Sequence, residues 1–242
     1  MSSVVIIAGG DFPKKEYPRM ILRQADHIVC CDGGALKAFL RNREGIFGDS
    51  HRLPDAVVGD MDSMPMSLRR EYGGLLVHVA EQESNDLSKA FHYALERFQD
   101  MDSITFLAAT GKREDHTVGN LGQLMEFARY LDSGCSGRAG RICNSESPGV
   151  SDGFGAAVRL EMVSDYSTII PIVDSCELFV GEGRAVSILS PDNSLNIKSE
   201  GLVWQTGGVV FDNWWKATLN RASEDLVRLK FSHKSIALII LD

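Results

Sequence analysis

The sequence has no apolar run that approaches the roughly 20 residues needed to span a bilayer as a helix. Its amino terminus, MSSVVIIAGGD, has no basic segment before a short apolar run, unlike a secretory signal peptide. These features predict a cytoplasmic protein.

Basic residues are fewer than acidic residues in this sequence. The chain carries 25 Lys and Arg against 33 Asp and Glu, which gives a formal net charge of −8. Nucleic acids and anionic membranes would be repelled by this charge. The composition therefore disfavours both as partners, although a local basic pocket stays compatible with it.

Cysteine is scarce, with five in the chain and none in a C-x-x-C pair. Cys30 and Cys31 are adjacent within an apolar run, which predicts buried, reduced thiols. Cys135 and Cys143 lie in a Gly/Ser-rich segment without a matching His or Cys nearby, so they are weak metal-ligand candidates.

The first half of the chain alternates short β-rich runs with amphipathic segments, a pattern typical of a mostly parallel sheet covered by helices. The predicted strands are 4–10, 27–34, 55–60, 75–80 and 103–110. Helices are predicted at 86–98 and 116–131, the first from its apolar residues at helical spacing. Residues 1–131 are therefore predicted to form an α/β domain.

Residues 132–155 are rich in Gly and Ser and lack periodicity, which predicts a flexible linker or insertion. Beyond them, extended apolar runs alternate with turn residues. This pattern favours an all-β sandwich or barrel over 156–242.

The stretch VVGDMDSM places Asp60 and Asp62 one residue apart after a predicted strand. One interpretation is an ordinary turn, since Asp and Gly favour turns. The other is a cation or proton-transfer site, because two neighbouring carboxylates repel each other unless a positive group or a proton lies between them.

Two more acids follow predicted strands: Asp32 closes one run and Asp86 begins the helix after another. Ligands of open α/β sheets bind beyond the carboxyl ends of the strands. We therefore expect four carboxylates at one rim, where Mg²⁺ and substrate phosphates would neutralise them. Asp86 alone is equally explained as a first-turn helix acid.

The stretch ATGKREDHTVGN supplies candidate phosphate donors. They are Gly111, Lys112 and Arg113, followed by a predicted helix amino terminus near Asp115 and His116, where backbone N–H groups favour an anion. The segment is not a G-x-x-x-x-G-K-[ST] loop. A strand-to-helix loop with solvated charges is the alternative interpretation.

Four segments in this order, CDGGA, VVGDMDS, QESNDLSKA and TGKREDHTVGNL, resemble the signature of thiamine pyrophosphokinases. The resemblance implies an α/β amino-terminal domain and a β-sandwich carboxy-terminal domain. It also implies transfer of a diphosphate group from ATP to thiamine, giving thiamine diphosphate and AMP with Mg²⁺ as cofactor.

By this resemblance, the acids that organise the metal and phosphates are Asp32, Asp60, Asp62 and Asp86, with the last three as metal ligands. Gln82 would contact the substrate. Arg113 and Asp115 correspond to the ATP-side motif, where an arginine suits a phosphate.

The carboxy-terminal half departs from the family, which often has a Ser-Asn pair where this chain has Leu219 and Asn220. Trp204, Trp214 and Trp215 are candidates to stack on the rings of thiamine, with Asn220 beside them. Core or interface packing is the alternative for each tryptophan.

The resemblance further implies a homodimer in which the acidic rim of one subunit works with the β-domain of the other. Two alternatives remain from the residues. DMDSM resembles the D-x-D core of a Mg²⁺-dependent phosphatase, although that fold expects it on an early strand. A nucleotide-binding protein without turnover is the other.

Overall fold

The computed structural model describes residues 2–62, 64–81, 83–134 and 158–242. The chain divides into two compact units, Met1–Gln123 with Met162–Asp165, and Leu124–Glu161 with Tyr166–Asp242. Gln82, Cys135 and Cys143 lie outside the described residues, as does the predicted insertion 132–155 except for its first three residues.

The first unit contains five parallel strands, of which all but the fourth along the chain are mostly buried. The strands are β1 (Ser2–Ile7), β2 (His27–Cys31), β3 (Ala56–Gly59), β4 (Leu76–His78) and β5 (Met101–Leu107), in the spatial order β5-β1-β2-β3-β4. Val5 of β1 pairs with Ile28 on one side and Thr105 on the other. Because such strands are covered on both faces, they carry apolar runs instead of alternating patterns.

Five α-helices lie in the described residues 2–62, 64–81 and 83–134, the last of them with residues in both units. They are α1 (Glu16–Gln24), α2 (Asp32–Phe47), α3 (Met66–Glu71), α4 (Asp86–Arg97) and α5 (Glu114–Asp132). The two predicted helices are present as α4 and α5. The start of α4 is set by Asn85, whose side chain accepts a hydrogen bond from the backbone N–H of Ser88 at 3.1 Å.

The predicted strands were too long at their carboxyl ends. The second run ends at Cys31 because Asp32 has a positive φ of 54° and begins α2. The fifth ends at Leu107 because Ala108 has a φ of 54°. A residue in the left-handed region cannot continue the extended backbone, and composition does not reveal that change.

The second unit contains antiparallel strands in two sheets. After β6 (Arg159–Val163), which has residues in both units, the strands are β7 (Thr168–Ile172), β8 (Cys176–Phe179), β9 (Ala185–Leu189), β10 (Ile197–Glu200), β11 (Ala217–Arg221), β12 (Leu226–Phe231) and β13 (Ala237–Leu241). One sheet has the order β11-β9-β13-β7 and the other β10-β12-β8.

Side chains from both sheets form one core. In β12, Val227, Leu229 and Phe231 are buried while Arg228 and Lys230 are exposed, the alternation expected of a strand with one solvated face. The buried residues pack in a cluster with Ile188 and other members of the opposite sheet. The predicted combination of an α/β domain and a β-sandwich is confirmed.

Asp192 ties the loop after β9 to the segment that connects β12 and β13. Its carboxylate accepts hydrogen bonds from the Ser194 hydroxyl at 2.6 Å and the Ser235 hydroxyl at 2.7 Å, and it lies 3.1 Å from Nε2 of His233. The hydroxyl of Ser194, then that of Ser235, hold the pKa of Asp192 well below its usual range.

We expect Asp192→Asn to lower the free energy of unfolding at pH 7 by about 1–3 kcal/mol, because it removes a charged acceptor from these hydrogen bonds. A carboxylate with a depressed folded pKa stabilises above its unfolded pKa, so this contribution should fade as the pH falls below about 4. Urea unfolding of both proteins at pH 7 and pH 3 measures the effect. An equal difference at both pH values would contradict the assignment.

In the described part of the chain, every helix is too short or too polar to cross a membrane.

Candidate active site

Asp32 and Asp86 converge on Gly59, the last residue of β3. A Cβ at Gly59 would lie 3.0 Å from Oδ1 of Asp86 and 3.1 Å from Cβ of Asp32. Each acid is the first residue of a helix, α2 or α4. The missing side chain at position 59 therefore leaves room for the two acids to approach each other.

Asp60 and Asp62 form a turn directly after β3. Oδ1 of Asp60 accepts a hydrogen bond from the backbone N–H of Asp62 at 3.0 Å. Met61 between them is buried and has a φ of 62°. The segment is thus a turn, and it also places Asp60 beside the other acids.

The electrostatics of Asp86 reflect this grouping. Burial raises the pKa of Asp86 above its usual value, and the charges of Asp60 and Asp32 raise it further. Such mutual repulsion favours a cation or a proton among these carboxylates.

A buried lysine, Lys89, is a member of this site that the sequence analysis missed. Its side chain is 3% exposed, and its Nζ lies 3.6 Å from Oδ1 of Asp86, three residues earlier on α4. Buried lysines are rare unless they are paired. The available signal for Lys89 was its sequence position, beside the apolar face of α4 and three residues after an acid.

The donor set consists of carboxylate oxygens, the ligands that Mg²⁺ prefers. In the described residues, however, no three acidic, histidine or cysteine side chains are grouped closely enough to hold a metal ion by themselves. Mg²⁺ commonly takes only one or two carboxylates and completes its shell with water and substrate phosphates. The acids therefore fit a metal that arrives with a phosphate.

Backbone strain is concentrated at this rim. Asp32, Met61, Ala108 and Lys112, none of them glycine, have φ between 54° and 62° and follow β2, β3 and β5. Each such residue costs of order 1–3 kcal/mol, and strain of this kind tends to cluster at functional sites.

The candidate phosphate loop follows β5. Lys112 donates from Nζ to the backbone carbonyl of Gly9 at 2.6 Å, and Asn120 of α5 donates to the carbonyl of Ala109 at 2.7 Å. Gly111 has a φ of 80°, and a Cβ there would lie 2.5 Å from Oδ2 of Asp11. The loop is thus fixed at both of its ends.

Arg113 and Asp115 lie together on the surface at the start of α5. Arg113 donates from Nε to Oδ1 of Asp115 at 3.0 Å, and Nη2 contacts Oδ2. The backbone N–H of His116 donates to the same Oδ1 at 2.9 Å. Asp115 therefore holds the Arg113 guanidinium near the amino terminus of α5.

The second unit carries exposed aromatic residues. Trp204 and Trp215 are 61% and 54% exposed, and Trp214 is also exposed. Trp204 lines a cavity of about 160 Å³ together with Leu219 and Asn220. An exposed indole beside a small cavity offers a stacking surface to a planar ligand.

Asn220 is buried and holds the backbone of Trp204. Its Oδ1 accepts from the N–H of Trp204 at 3.1 Å, and its Nδ2 donates to the carbonyl of Trp204 at 2.6 Å. Leu219, next to it, is 85% exposed with a φ of 61°, at a register shift between β11 and β9. Asn220 thus positions the Trp204 segment, and Leu219 projects outward.

Two models of one protein family match the chain. Residues 19–133 match the model described as "Thiamin pyrophosphokinase, catalytic domain", and residues 168–237 match "Thiamin pyrophosphokinase, substrate-binding domain". Together they cover about three quarters of the chain.

Curated relatives carry the same name. The chain is 30% identical over 127 residues to thiamine pyrophosphokinase of Bacillus subtilis, covering 50% of this chain and 53% of that protein. It is 29% identical over 126 residues to thiamine pyrophosphokinase 1 of Oryza sativa subsp. japonica, covering 45% and 48%. The chain thus spans about half the length of the curated relatives it matches.

Solved structures share the fold over nearly the whole chain. The crystal structure of the Bacillus subtilis thiamine pyrophosphokinase has a TM-score of 0.69 at 16% identity, covering 99% of this chain and 98% of that one. The Candida albicans thiamin pyrophosphokinase has a TM-score of 0.68 at 17% identity, covering 99% and 88%. With both family models matched in order along one sequence, the chain belongs to the thiamin pyrophosphokinase family.

Proposed function

We propose that this protein transfers a diphosphate group from ATP to the hydroxyl of thiamine, giving thiamine diphosphate and AMP. The observation that carries the proposal is the meeting of Asp32 and Asp86 over Gly59, beside Asp60. This acidic rim lies in the part of the chain that matches the family's catalytic model.

In the reaction, the thiamine hydroxyl oxygen forms a bond to the β-phosphorus of ATP. The bond from that phosphorus to the oxygen bridging to the α-phosphate breaks, and AMP leaves. The hydroxyl proton passes to a base, for which a carboxylate of the rim is suited. Transfer of this kind depends mainly on positioning and on neutralisation of charge.

The chain supplies both requirements. Asp60, Asp62 and Asp86 are the candidate ligands, of which one or two would hold Mg²⁺ while water and substrate phosphates complete its shell. When bound, the ion would neutralise phosphate charge. Asp32 lies next to Asp86 at Gly59. Lys89 keeps a positive charge next to Asp86 and so limits repulsion within the rim.

Residues after β5 would bind the remaining phosphate charge. Gly111 and Lys112 lie near the start of α5, where the helix dipole favours an anion. His116 lies in the first turn of the same helix, with its own N–H donating to Asp115. Arg113, oriented by Asp115, adds a guanidinium with several donors.

Thiamine would bind through the second unit, which matches the family's substrate-binding model. Trp204 and Trp215 offer exposed indole faces to its cationic thiazolium and pyrimidine rings. Asn220 would act through the Trp204 backbone. The contact predicted for Gln82 stays a prediction, as does the cytoplasmic location.

The decisive assay incubates the purified protein with thiamine, ATP and Mg²⁺ and measures AMP and thiamine diphosphate by chromatography. Equimolar formation of both supports the proposal. Release of orthophosphate from simple phosphoesters without thiamine diphosphate would favour the D-x-D phosphatase. Binding of ATP without turnover would favour a non-catalytic nucleotide-binding protein.

We further propose a homodimer in which the acidic rim of one subunit serves the β-domain of the other. The described metal and phosphate candidates lie in the first unit, whereas the three tryptophans lie in the second. An active site assembled from two copies would bring both sets together.

Complementation tests this arrangement. An inactive Asp60→Asn chain mixed with an inactive Trp204→Ala/Trp215→Ala chain should regain part of the activity, because one composite site of the mixed dimer has both halves intact. Subunit exchange is verified with differently tagged chains. Exchange without recovery, or an active monomer by light scattering, would reject the shared site.

A further inference from the structure

Arg69 lies on α3, a helix of six residues with no buried side chain. So short a helix has little stability of its own, and tertiary packing of an apolar face usually stabilises a helix. Although α3 buries no residue, hydrogen bonds from the Arg69 side chain connect it to the segment before it.

The Arg69 guanidinium reaches back to two backbone carbonyls. Nε donates to the carbonyl of Met64 at 3.0 Å, and Nη2 donates to the carbonyl of Met61. Met61 stands between Asp60 and Asp62, so one of these hydrogen bonds lies within the acidic turn itself. The planar guanidinium fixes the directions of its donors, which a lysine ammonium does not.

The turn held in this way is strained. Met61 has a φ of 62°, a conformation that costs a non-glycine residue roughly 1–2 kcal/mol. Its carbonyl also accepts from the N–H of Met64 at 3.0 Å. The two hydrogen bonds from Arg69 therefore close a turn that its own residues do not favour.

The same contacts reach a second acid. Met64 is buried and packs directly on Gly33, where a Cβ would lie 3.0 Å from Cβ of Met64. Gly33 follows Asp32 at the start of α2. By fixing the Met64 backbone, Arg69 also fixes the spacing between the Asp60–Asp62 turn and Asp32.

We propose that Arg69 is a positioning residue that sets the direction of the Asp60 and Asp62 carboxylates and their distance from Asp32. Its expected effect on turnover rests on the proposed function, whereas its effect on the turn does not. Displacement of a reacting group by about 1 Å costs about 100-fold in rate, so Arg69 would affect catalysis through the acids that it positions.

The test compares Arg69→Met with Arg70→Met. Arg70 is the next residue on α3, is exposed, and loses the same charge on substitution. We expect Arg69→Met to lower kcat about 10- to 100-fold with little change in KM for thiamine. Hydrogen–deuterium exchange should become faster in peptides that contain residues 61–64. Arg70→Met should match the wild type in both measurements.

Arg69→Lys is the second variant, which keeps the charge but not the fork of donors. It should exchange faster than the wild type at 61–64 and have an intermediate kcat. Unchanged exchange in Arg69→Met, or equal changes in Arg70→Met, would overturn the proposal. If the wild type forms no thiamine diphosphate, the proposed function fails, and exchange at 61–64 alone decides the role of Arg69.

Discussion

Replacing Asp60 or Asp62 by Asn should lower the rate of thiamine diphosphate formation about 100- to 1,000-fold, the usual loss when one electrostatic contribution to a transition state is removed. Each change deletes a negative charge where a metal would bind. Asn keeps the Oδ1 acceptor, so the hydrogen bond from the Asp62 N–H to residue 60 survives. The free energy of unfolding should therefore change by no more than about 0.5 kcal/mol.

Asp49→Asn is the matched control. Asp49 is exposed, and its Oδ1 accepts from the N–H of His51, two residues later, at 2.7 Å, the same local arrangement as Asp60 with Asp62. It should retain wild-type turnover. Steady-state rates at saturating ATP and Mg²⁺, with urea unfolding of each variant, separate the effects. Parallel losses of stability and activity in Asp60→Asn would argue for a purely structural turn.

Gly10→Ala should destabilise the protein by roughly 3 kcal/mol and reduce its activity, because the loop after β1 packs against the loop after β5. A Cβ at Gly10 would lie 2.2 Å from the carbonyl oxygen of Thr110 and 2.5 Å from that of Ala108. Both are backbone atoms, so the segment leading to the phosphate loop must shift. Overpacking of this kind costs about 1–3 kcal/mol, and sometimes more.

Gly9→Ala is the control, since a Cβ at Gly9 would have no atom within 4 Å, and the Gly9 carbonyl that accepts from Lys112 is retained. Its urea midpoint should lie close to the wild-type value. Equal midpoints for Gly9→Ala and Gly10→Ala would show that the loop after β5 moves aside without cost.

The sequence was a good guide to the elements because hydrophobic patterning encodes them. The apolar runs predicted β1 to β5, and the periodic apolar residues of 86–98 predicted α4. Strand ends were predicted less well, since they depend on positive φ values at Asp32 and Ala108. Those values result from tertiary packing, which a single residue type does not reveal.

The residues of the candidate site also divide into those that the sequence predicts and those that it does not. Acids that follow strands are visible in the sequence, because parallel strands bring their carboxyl ends to one edge. Lys89 and Arg69 were missed because their roles depend on burial and on contacts with backbone carbonyls. The sequence does not reveal which backbone carbonyl a side chain will contact. A residue that binds one therefore resembles any solvated charged residue in the sequence.

The side chains that bind these carbonyls lie only a few residues away from them in the sequence. Arg69 serves the turn after β3 from the helix that follows it, and Asn120 serves the turn after β5 in the same way. In these two strand–turn–helix segments, the helix thus supplies the side chain that holds the turn before it. Residues elsewhere in the sheet and helices are then able to change independently during evolution. The condition is that each strand–turn–helix segment keeps its acid and a side chain that holds its turn. Homologues with few identical residues should be recognisable by this local pairing of an acid and a turn-holding side chain more readily than by overall similarity.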